Sequence, residues 1–220
     1  MKERIIDYIR RNRVTTTEVA DCMGKSGAIE GVLPINRGHF CVGTVRWTCA
    51  VQESNWWVHK DIIDVQRDDI VFIDSFDCGN RSIIGELVCK YTLLYRQAGA
   101  IISNAPVRDA GAIIRENYAV WSRGVSPVGC FNTRPEDGKN QEEVEKARAY
   151  FNESIAVCDD CGVVIIPKEL HNEDFMEKLV AIEEQEDIWF DRLDRKHENT
   201  FEIVCEKKYL KEQTLFNEER

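Results

Sequence analysis

The chain has 220 residues, 43% hydrophobic and 31% charged, a composition typical of one folded globular domain with appendages and unlike that of a disordered protein. Its 39 acidic and 29 basic residues give a formal net charge of −10, which disfavours a nucleic-acid partner because phosphates would meet a repulsive field. No apolar run approaches the roughly 18 residues of a membrane span, and the basic N-terminal stretch lacks the apolar region of a signal peptide. These features predict a cytoplasmic protein that binds neither nucleic acid nor membrane.

Two helices are predicted at the start of the chain. Residues 1–13 have helical spacing of apolar positions, and the covered face would be formed by Ile5, Ile6 and Ile9. Thr15 and Glu18 have the spacing of a capping box, which would start a short second helix that Gly24 would end.

Three strands and a helix are predicted next. Residues 44–51 alternate in polarity as a half-buried strand does, with Val45, Trp47, Cys49 and Val51 on the apolar face. Residues 68–74 and 99–103 are short runs rich in Ile and Val, typical of strands covered on both faces. Between these runs, a helix is predicted to begin after Gly85. Its apolar face would be formed by Leu87, Val88, Tyr91, Leu94, Tyr95 and Ala98.

The second half of the chain predicts further strands at residues 118–122, 154–158 and 161–167. Residues 134–153 are strongly polar and predict a surface insertion that contains a helix. From residue 169 onward, one or two amphipathic helices are predicted, with a covered face formed by Phe175, Leu179, Ile182 and Trp189.

Nine cysteines, odd in number and scattered along the chain, favour reduced, mostly buried thiols over a disulfide framework. The closest pair is Cys158 and Cys161. A zinc ribbon requires a second such pair, so packing is the predicted role of these two residues, and a metal or redox role is the alternative.

Arg108 and Asp109 follow the predicted strand at 99–103. The helix start at Glu86 would present backbone amides to an anion, and Arg108 could clamp a carboxylate with two hydrogen bonds. Asp109 offers hard oxygen ligation to a divalent cation, and Glu86 could hold a bound water. Together these residues would hold a 2-oxo acid on a metal. The alternative is an ordinary ion pair or turn at a strand end.

Residues 85–113 resemble the core motif of the RraA-like family, which contains the regulators of ribonuclease activity A and the 4-hydroxy-4-methyl-2-oxoglutarate aldolases. The usual form is a G-[DE]-L-L helix start, followed by a strand that runs into D-G-x-x-R-D. Four more segments resemble family motifs in the family's order: residues 15–35 (the N-terminal helix), 41–51 (the G-x-A-x-T strand), 121–129 (the R-G-x-[ST]-P turn) and 159–167 (the D-x-D-G-V-V-x-[IV]-P strand). The resemblance spans roughly residues 14 to 185.

This resemblance implies an α/β fold, the swivelling β/β/α sandwich domain, with flanking N- and C-terminal helices. Residues 1–198 would form the single RraA-like domain and residues 199–220 a C-terminal extension. The resemblance also implies a homotrimer or a hexamer of two trimers, with active sites between subunits.

The aldolase branch of the family uses its R-D pair to bind the pyruvyl carboxylate and the metal, which carries over to Arg108 for the carboxylate and Asp109 for the metal. The G-[DE]-L-L backbone completes the substrate pocket, which carries over to Gly85, Glu86, Leu87 and Val88. The predicted catalytic residues are therefore Arg108, Asp109 and Glu86, with Mg²⁺, Mn²⁺ or another divalent cation. Members of the ribonuclease-regulator branch can lack the aspartate, so Asp109 favours the enzyme.

The predicted reaction is retro-aldol cleavage of a 4-hydroxy-2-oxo acid similar to 4-hydroxy-4-methyl-2-oxoglutarate, or decarboxylation of oxaloacetate. Either reaction gives pyruvate through a metal-stabilised enolate. One alternative is a non-catalytic protein that binds and regulates a ribonuclease or another partner. Another is a lyase with a larger 2-oxo acid substrate.

The sequence departs from the family pattern in three places. Asn104 and Ala105 replace D-G, one extra residue lies between Gly85 and Arg108, and residues 134–153 do not resemble the expected strand pair. These departures leave the substrate open. The family also draws an acidic residue from the neighbouring subunit's C-terminal helix, for which the candidates are Glu183, Glu184 and Glu186.

Three other features are predicted to be structural. His59 has no visible partner and is predicted to be an ordinary residue at a helix edge or on the surface. Asp159 and Asp160 match a family turn. Trp56 and Trp57 are predicted to be packing or interface residues.

Overall fold

The structure is a computed structural model that describes residues 1–136 and 138–210. The chain divides into two compact units, Met1–Met176 and Glu177–Arg220. The predicted domain boundary at residue 198 remains a prediction, and positions 211–220 of the predicted C-terminal extension lie outside the described residues.

A seven-stranded sheet in the described residues organises the first unit. Its strands are β1 (Leu33–Pro34), β2 (Cys41–Val51), β3 (Ile70–Phe76), β4 (Ala100–Ser103), β5 (Val120–Ser122), β6 (Ile155–Asp159) and β7 (Gly162–Ile166). The strand order is β1-β5-β4-β3-β2-β6-β7. Strands β2 to β5 are parallel, whereas β1, β6 and β7 pair with their neighbours antiparallel.

The α-helices of the described residues are α1 (Lys2–Asn12), α2 (Thr16–Cys22), α3 (Trp56–Asp61), α4 (Glu86–Lys90), α5 (Ala110–Arg115), α6 (Gln141–Phe151) and α7 (Glu173–Lys196). Helix α4 continues into a π-helical turn, Tyr91–Tyr95. None of these helices has the length and hydropathy needed to cross a membrane.

The sheet is nearly closed into a barrel because residues 27–34 connect its two edges. The amide of Ile29 donates to the carbonyl of Val163 (3.0 Å), and the amide of Ile165 donates to the carbonyl of Gly27 (2.9 Å). The same segment then enters β1, which pairs with β5 at the other edge. This mixed α/β architecture confirms the predicted fold class.

The strands contribute to two cores because side chains alternate between the faces of a sheet. The barrel core includes Val45, Trp47, Ile70, Phe72, Ile102, Trp121, Cys158 and Ile165. The helical core, between the parallel strands and helices α3 to α5, includes Val58, Val71, Ile73, Val88, Ile101, Ile113 and Val120. Strands β3 and β4 are therefore covered on both faces, as predicted.

Strand β2 confirms the prediction for residues 44–51 along its length but is more buried than predicted. Thr48, predicted on the polar face, is buried, and its hydroxyl donates to Asp61 Oδ2 (2.7 Å) in α3. Ala50 on the same face is also buried. Helix α3 thus covers the second half of the strand on the face predicted to be solvated.

The predicted buried face of the helix after Gly85 is partly wrong. Leu87 and Tyr95 are 78% and 71% exposed and Leu94 is also exposed, whereas Cys89 and Thr92 are buried. The helix turns its Val88 side towards the parallel strands, and the π-helical turn departs from the 3.6-residue period used for the prediction. An apolar stripe of this helix therefore remains on the surface.

The N-terminal elements agree with their predicted patterns. Helix α1 buries Ile5, Ile6 and Ile9. The Thr15 hydroxyl accepts from the amide of Glu18 (3.3 Å), and the amide of Thr15 donates to Glu18 Oε2 (2.6 Å), which completes the capping box. Gly24 follows the helix with a positive φ of 69°.

The predicted surface insertion contains α6, and its position 137 lies outside the described residues. The helix is not purely a surface feature, because Phe151 at its end packs edge-on against Phe72 with ring centroids 4.7 Å apart. In the second unit, Trp189 and Gln185 both donate to the hydroxyl of Tyr209, at 3.1 and 3.3 Å.

Asp159, at the end of β6, forms hydrogen bonds to the start of α2, which confirms its structural role. Its carboxylate accepts from the Thr16 amide (2.8 Å), the Thr16 hydroxyl (2.7 Å) and the Cys161 amide (2.8 Å). Among the described residues, Asp160 accepts only from the amide of Gly38 (2.8 Å), at an exposed position.

We expect Asp159→Ala to lower the free energy of unfolding by about 3 kcal/mol, because it leaves three donors without their charged acceptor. Urea unfolding followed by circular dichroism measures this loss. Asp160→Ala is the matched control and should cost less than about 1 kcal/mol, since it removes one exposed hydrogen bond. Equal losses in the two variants would contradict the structural role of Asp159.

Candidate functional site

Backbone hydrogen bonds hold the two predicted site segments side by side. The amide of Ile83 donates to the carbonyl of Pro106 (3.0 Å), and the amide of Arg108 donates to the carbonyl of Ile84 (2.9 Å). Gly85 and Asp109 are consequently neighbours in space, although helix α4 and strand β4 separate them in sequence. The structure thus brings together the two segments that the sequence paired.

Asp109 lies at the start of α5 in a left-handed backbone conformation, with φ of 58°. Its Oδ2 accepts a hydrogen bond from the backbone amide of Glu86 (3.0 Å) and lies 3.7 Å from Nε of Arg108. The first amide of α4 therefore already has an anionic partner within the protein. The conformation of Asp109 is uncommon for a residue with a side chain, and it directs the carboxylate to the start of α4.

Two glycines make room for the Arg108 and Asp109 side chains. A Cβ added at Gly85 would lie 2.2 Å from Asp109 Oδ2 and 2.8 Å from Cγ of Arg108. A Cβ added at Gly129 would lie 2.8 Å from Nη1 of Arg108. Gly85 has a φ of −141°, so glycine is needed there for close approach and not for backbone conformation.

The predicted substrate residues lie around a cavity of about 130 Å³. Gly85, Leu87, Val88, Arg108 and Asp109 line it. The Glu86 backbone contacts Asp109, but its side chain is not among the lining groups, and its Oε1 lies 4.0 Å from Nη2 of Arg115. Glu86 therefore contacts the site through its backbone amide, which donates to Asp109, and not through its side chain.

Asn55 and His59 also line this cavity, and sequence reasoning missed them. Asn55 is 7% exposed, its Nδ2 donates to the carbonyl of Ile83 (2.8 Å), and its Oδ1 has no partner among the described residues. Burial lowers the pKa of His59 below its usual 6.5, which favours the neutral imidazole. The four-residue spacing of Asn55 and His59 predicts that both lie on one side of a helix. The spacing does not indicate which cavity that side faces.

Asp109 has the donor chemistry that a magnesium-type cation prefers. Its carboxylate is partly exposed, and the described hydrogen bond uses only Oδ2. Mg²⁺ commonly binds proteins through one or two carboxylates and keeps several waters. Among the described residues, no group of three or more His, Cys, Asp or Glu is placed to hold a metal ion.

Asn104 and Ala105, which replace the family's D-G, are not among the residues that line the cavity. The Asn104 Nδ2 donates to Asp74 Oδ1 (2.7 Å) at the end of β3, and Ala105 is buried in the helical core. The predicted packing role of Cys158 holds, because its side chain is fully buried. It is wrong for Cys161, which is exposed in the turn between β6 and β7.

Comparison with known proteins identifies the family of this chain and several similar structures. The RraA-like model, described as Aldolase/RraA, matches residues 16–165. An uncharacterized protein from Pseudomonas syringae pv. tomato has a similar structure, with a TM-score of 0.70, 17% identity and 92% of each chain covered. RraAS2 of Streptomyces coelicolor, an unusual member of the RNase ES inhibitor RraA family, gives a TM-score of 0.62 and 16% identity, covering 83% of this chain and 93% of its own.

The RNA-processing inhibitor RraA from Thermus thermophilus gives a TM-score of 0.51 and 18% identity, covering 69% of this chain and 92% of its own. At these identities the structural similarities concern the fold alone. The family model extends from α2 to β7 and includes both segments of the candidate site. On this match the chain belongs to the RraA-like family, Aldolase/RraA.

Proposed function

We propose that the protein is a divalent-metal-dependent lyase that forms pyruvate, either by retro-aldol cleavage of a 4-hydroxy-2-oxo acid or by decarboxylation of oxaloacetate. The RraA-like family includes both aldolase or decarboxylase enzymes and ribonuclease regulators. The observation that carries the enzyme proposal is the placement of Arg108 and Asp109 against Gly85 in one cavity.

Arg108 supplies the carboxylate-binding group in this proposal. Its side chain is half exposed and lines the cavity, so a small anion can reach the guanidinium. A guanidinium binds a carboxylate through two parallel hydrogen bonds, which fixes the orientation of the anion as well as its position. Leu87 and Val88 provide apolar lining beside it.

Asp109 would hold Mg²⁺ or Mn²⁺. When bound, the cation would supply Lewis-acid stabilisation of negative charge on the keto oxygen of the substrate. Asp109 itself is oriented by the amide of Glu86 and neighboured by Arg108. These contacts set the direction of the carboxylate before a ligand enters, which is the preorganisation that electrostatic catalysis requires.

Asn55 and His59 give the cavity a second polar wall. Asn55 lines this wall, and its Nδ2 donates to the carbonyl of Ile83 (2.8 Å). A neutral His59 imidazole can accept the proton that the 4-hydroxyl of the substrate must lose in a retro-aldol cleavage. A proton acceptor in this wall favours a 4-hydroxy-2-oxo acid over oxaloacetate, which lacks the hydroxyl.

A homotrimer, or a hexamer of two trimers, is the proposed assembly in the cytoplasm. Leu87 at the cavity and Leu94 and Tyr95 further along the same helix are exposed apolar side chains, and Ile114 of α5 is exposed as well. Apolar patches of this kind mark interaction surfaces. A second subunit on this face would complete the cavity, and the predicted acidic residue from a neighbouring subunit's C-terminal helix would come from Glu183, Glu184 or Glu186.

Pyruvate release tests the proposed function. The purified full chain would be incubated with 4-hydroxy-4-methyl-2-oxoglutarate and with oxaloacetate, with EDTA or with added Mg²⁺ or Mn²⁺, and pyruvate would be followed with lactate dehydrogenase. We expect turnover that EDTA abolishes and either cation restores. A folded protein without turnover or Mg²⁺-dependent pyruvate binding would overturn the proposal and favour a non-catalytic regulator.

A further inference from the structure

A partly buried arginine, Arg81, contacts the wall of the candidate cavity. Its Nη1 donates to the carbonyl of Gly129 (3.0 Å), and its Nη2 lies 3.1 Å from Glu53 Oε2. The guanidinium also lies over the ring of Phe131, 4.6 Å from the ring centroid. Arg81 is outside every segment that resembles a family motif, and it does not itself line the cavity. Three contacts therefore fix its guanidinium beside a cavity that it does not enter.

Residues 129–132 form a wall segment of this cavity. The members that line the cavity are Gly129, Cys130 and Asn132. The amide of Cys130 donates to the carbonyl of Ser82 (3.1 Å), and the amide of Phe131 donates to the carbonyl of Glu53 (2.8 Å). Main-chain bonds therefore hold the wall segment from its second residue onward, and a side-chain bond holds the first.

Arg108, the proposed carboxylate-binding residue, lies against the first residue of the wall segment. A Cβ added at Gly129 would lie 2.8 Å from Nη1 and 3.6 Å from Cζ of Arg108. Among the described residues, the only charged or hydrogen-bonding partner of the Arg108 guanidinium is the Asp109 carboxylate, 3.7 Å from Nε. The terminal nitrogens of Arg108 are thus available to a ligand, and any displacement of Gly129 changes the space that they occupy.

We propose that Arg81 is a positioning residue that fixes the carbonyl of Gly129 and thereby holds the Arg108 guanidinium where it binds the substrate carboxylate. This inference rests on the proposed function. Without Arg81, the carbonyl of Gly129 loses its charged donor, and the neighbouring Arg108 guanidinium can turn to replace it. An Arg108 that donates to the protein has fewer donors for a substrate, so the affinity for a carboxylate falls.

Glu53 explains why Arg81 positions the wall and does not bind the substrate itself. Two guanidinium groups against one glycine repel each other, and the Glu53 carboxylate offsets the charge of Arg81. The Arg81 side chain is also 24% exposed, against 53% for Arg108. The charge that an entering anion can reach is therefore that of Arg108.

Hydrogen exchange of Arg81→Met without any ligand tests the contact with the wall segment. Methionine keeps an unbranched side chain but has neither donors nor charge. We expect the backbone amides of residues 129–132 to exchange about tenfold faster in this variant of the full chain, measured by mass spectrometry, because the segment opens more easily without the bond at its first residue. Unchanged exchange of these amides would overturn the proposal.

Arg96→Met is the matched control. The Arg96 guanidinium also holds a backbone carbonyl, that of Val65, with two hydrogen bonds of 3.1 and 2.8 Å. Neither residue lines the cavity. We expect Arg96→Met to leave exchange of residues 129–132 and all binding and kinetic constants as in the wild type. Equal effects in Arg81→Met and Arg96→Met would indicate general destabilisation and overturn the positioning role.

Binding and kinetics test the consequence for the substrate. In Arg81→Met, we expect the affinity for pyruvate with Mg²⁺, measured by calorimetry, to fall about tenfold and the KM for 4-hydroxy-4-methyl-2-oxoglutarate to rise by the same factor. The kcat should change less than about twofold, because Arg81 contacts neither Asp109 nor the reacting atoms. Arg81→Lys should lose only about threefold in affinity, since lysine keeps the charge and a donor but lacks the planar fork.

The outcomes separate this inference from the proposed function. If the wild type binds no pyruvate, the proposed function fails, and hydrogen exchange still decides whether Arg81 fixes the wall segment. If the wild type binds pyruvate and Arg81→Met binds it equally well, the proposed function stands and the positioning role is overturned. A lower kcat with an unchanged KM would assign Arg81 to the chemical step and also overturn the positioning role.

Discussion

Asp109→Asn is expected to lower the kcat/KM for pyruvate formation by about 100- to 1000-fold, the range seen when one preorganised electrostatic group is removed from an active site. The asparagine oxygen can still accept from the amide of Glu86, which Asp109 Oδ2 accepts at 3.0 Å. The fold around α4 should therefore persist while the negative charge that would hold the cation is lost. Steady-state kinetics at saturating Mg²⁺, with Mg²⁺ affinity from calorimetry, measures both effects.

Glu142→Gln is the control for this charge change. Glu142 is an exposed residue of α6 that pairs with Lys146 (2.6 Å), and its substitution should leave kcat/KM unchanged. A decrease in both variants would indicate a response to total charge. Full activity and unchanged Mg²⁺ affinity in Asp109→Asn would remove Asp109 from the metal site.

Gly85→Ala is expected to lower kcat/KM by about 100-fold, the cost of misplacing a reacting group by roughly 1 Å. The added methyl group would lie 2.2 Å from Asp109 Oδ2 and 2.8 Å from Cγ of Arg108. Both side chains must therefore move, and overpacking of this kind also costs about 1 to 3 kcal/mol of stability. Kinetics and thermal unfolding of the same preparation would separate the two effects.

Gly111→Ala is the matched substitution. Gly111 lies in α5, two residues after Asp109, and a Cβ there meets no atom within 4 Å. Alanine in a helix is favoured over glycine by about 0.5 to 1 kcal/mol, so this variant should keep its activity and be at least as stable. Activity retained in Gly85→Ala would contradict the close approach on which the site depends.

Much of the sheet was predictable because its strands carry local signals. Residues 99–103 form a short apolar run between turn signals, and β4 lies there. Barrel closure was not predictable from such signals, because it depends on pairing between residues 27–29 and β7, which lie far apart in sequence. The buried side of α4 was wrongly predicted for a related reason: its stripe containing Leu87 is a genuine apolar face, but it is exposed.

The residues of the candidate site that belong to one sequence motif could be predicted. The residues that only the folded chain brings to the cavity could not. Arg108 and Asp109 were paired with Gly85 from the sequence, and the structure brings them together. His59 was predicted to be ordinary because it has no partner nearby in sequence, whereas α3 places it in the same cavity. The catalytic and binding roles of these residues remain predictions that the variants above would test.

The closure of the barrel by residues 27–34 has a consequence for synthesis on the ribosome. The Ile29 amide donates to the carbonyl of Val163, so residues 27–29 have no strand to pair with until β7 has left the exit tunnel. Contacts between chain segments so distant in sequence form slowly because the intervening loop must close first. A nascent chain that stalls before Gly162 would thus present an unpaired edge to the surrounding proteins, and its dependence on chaperones would fall once β7 emerges.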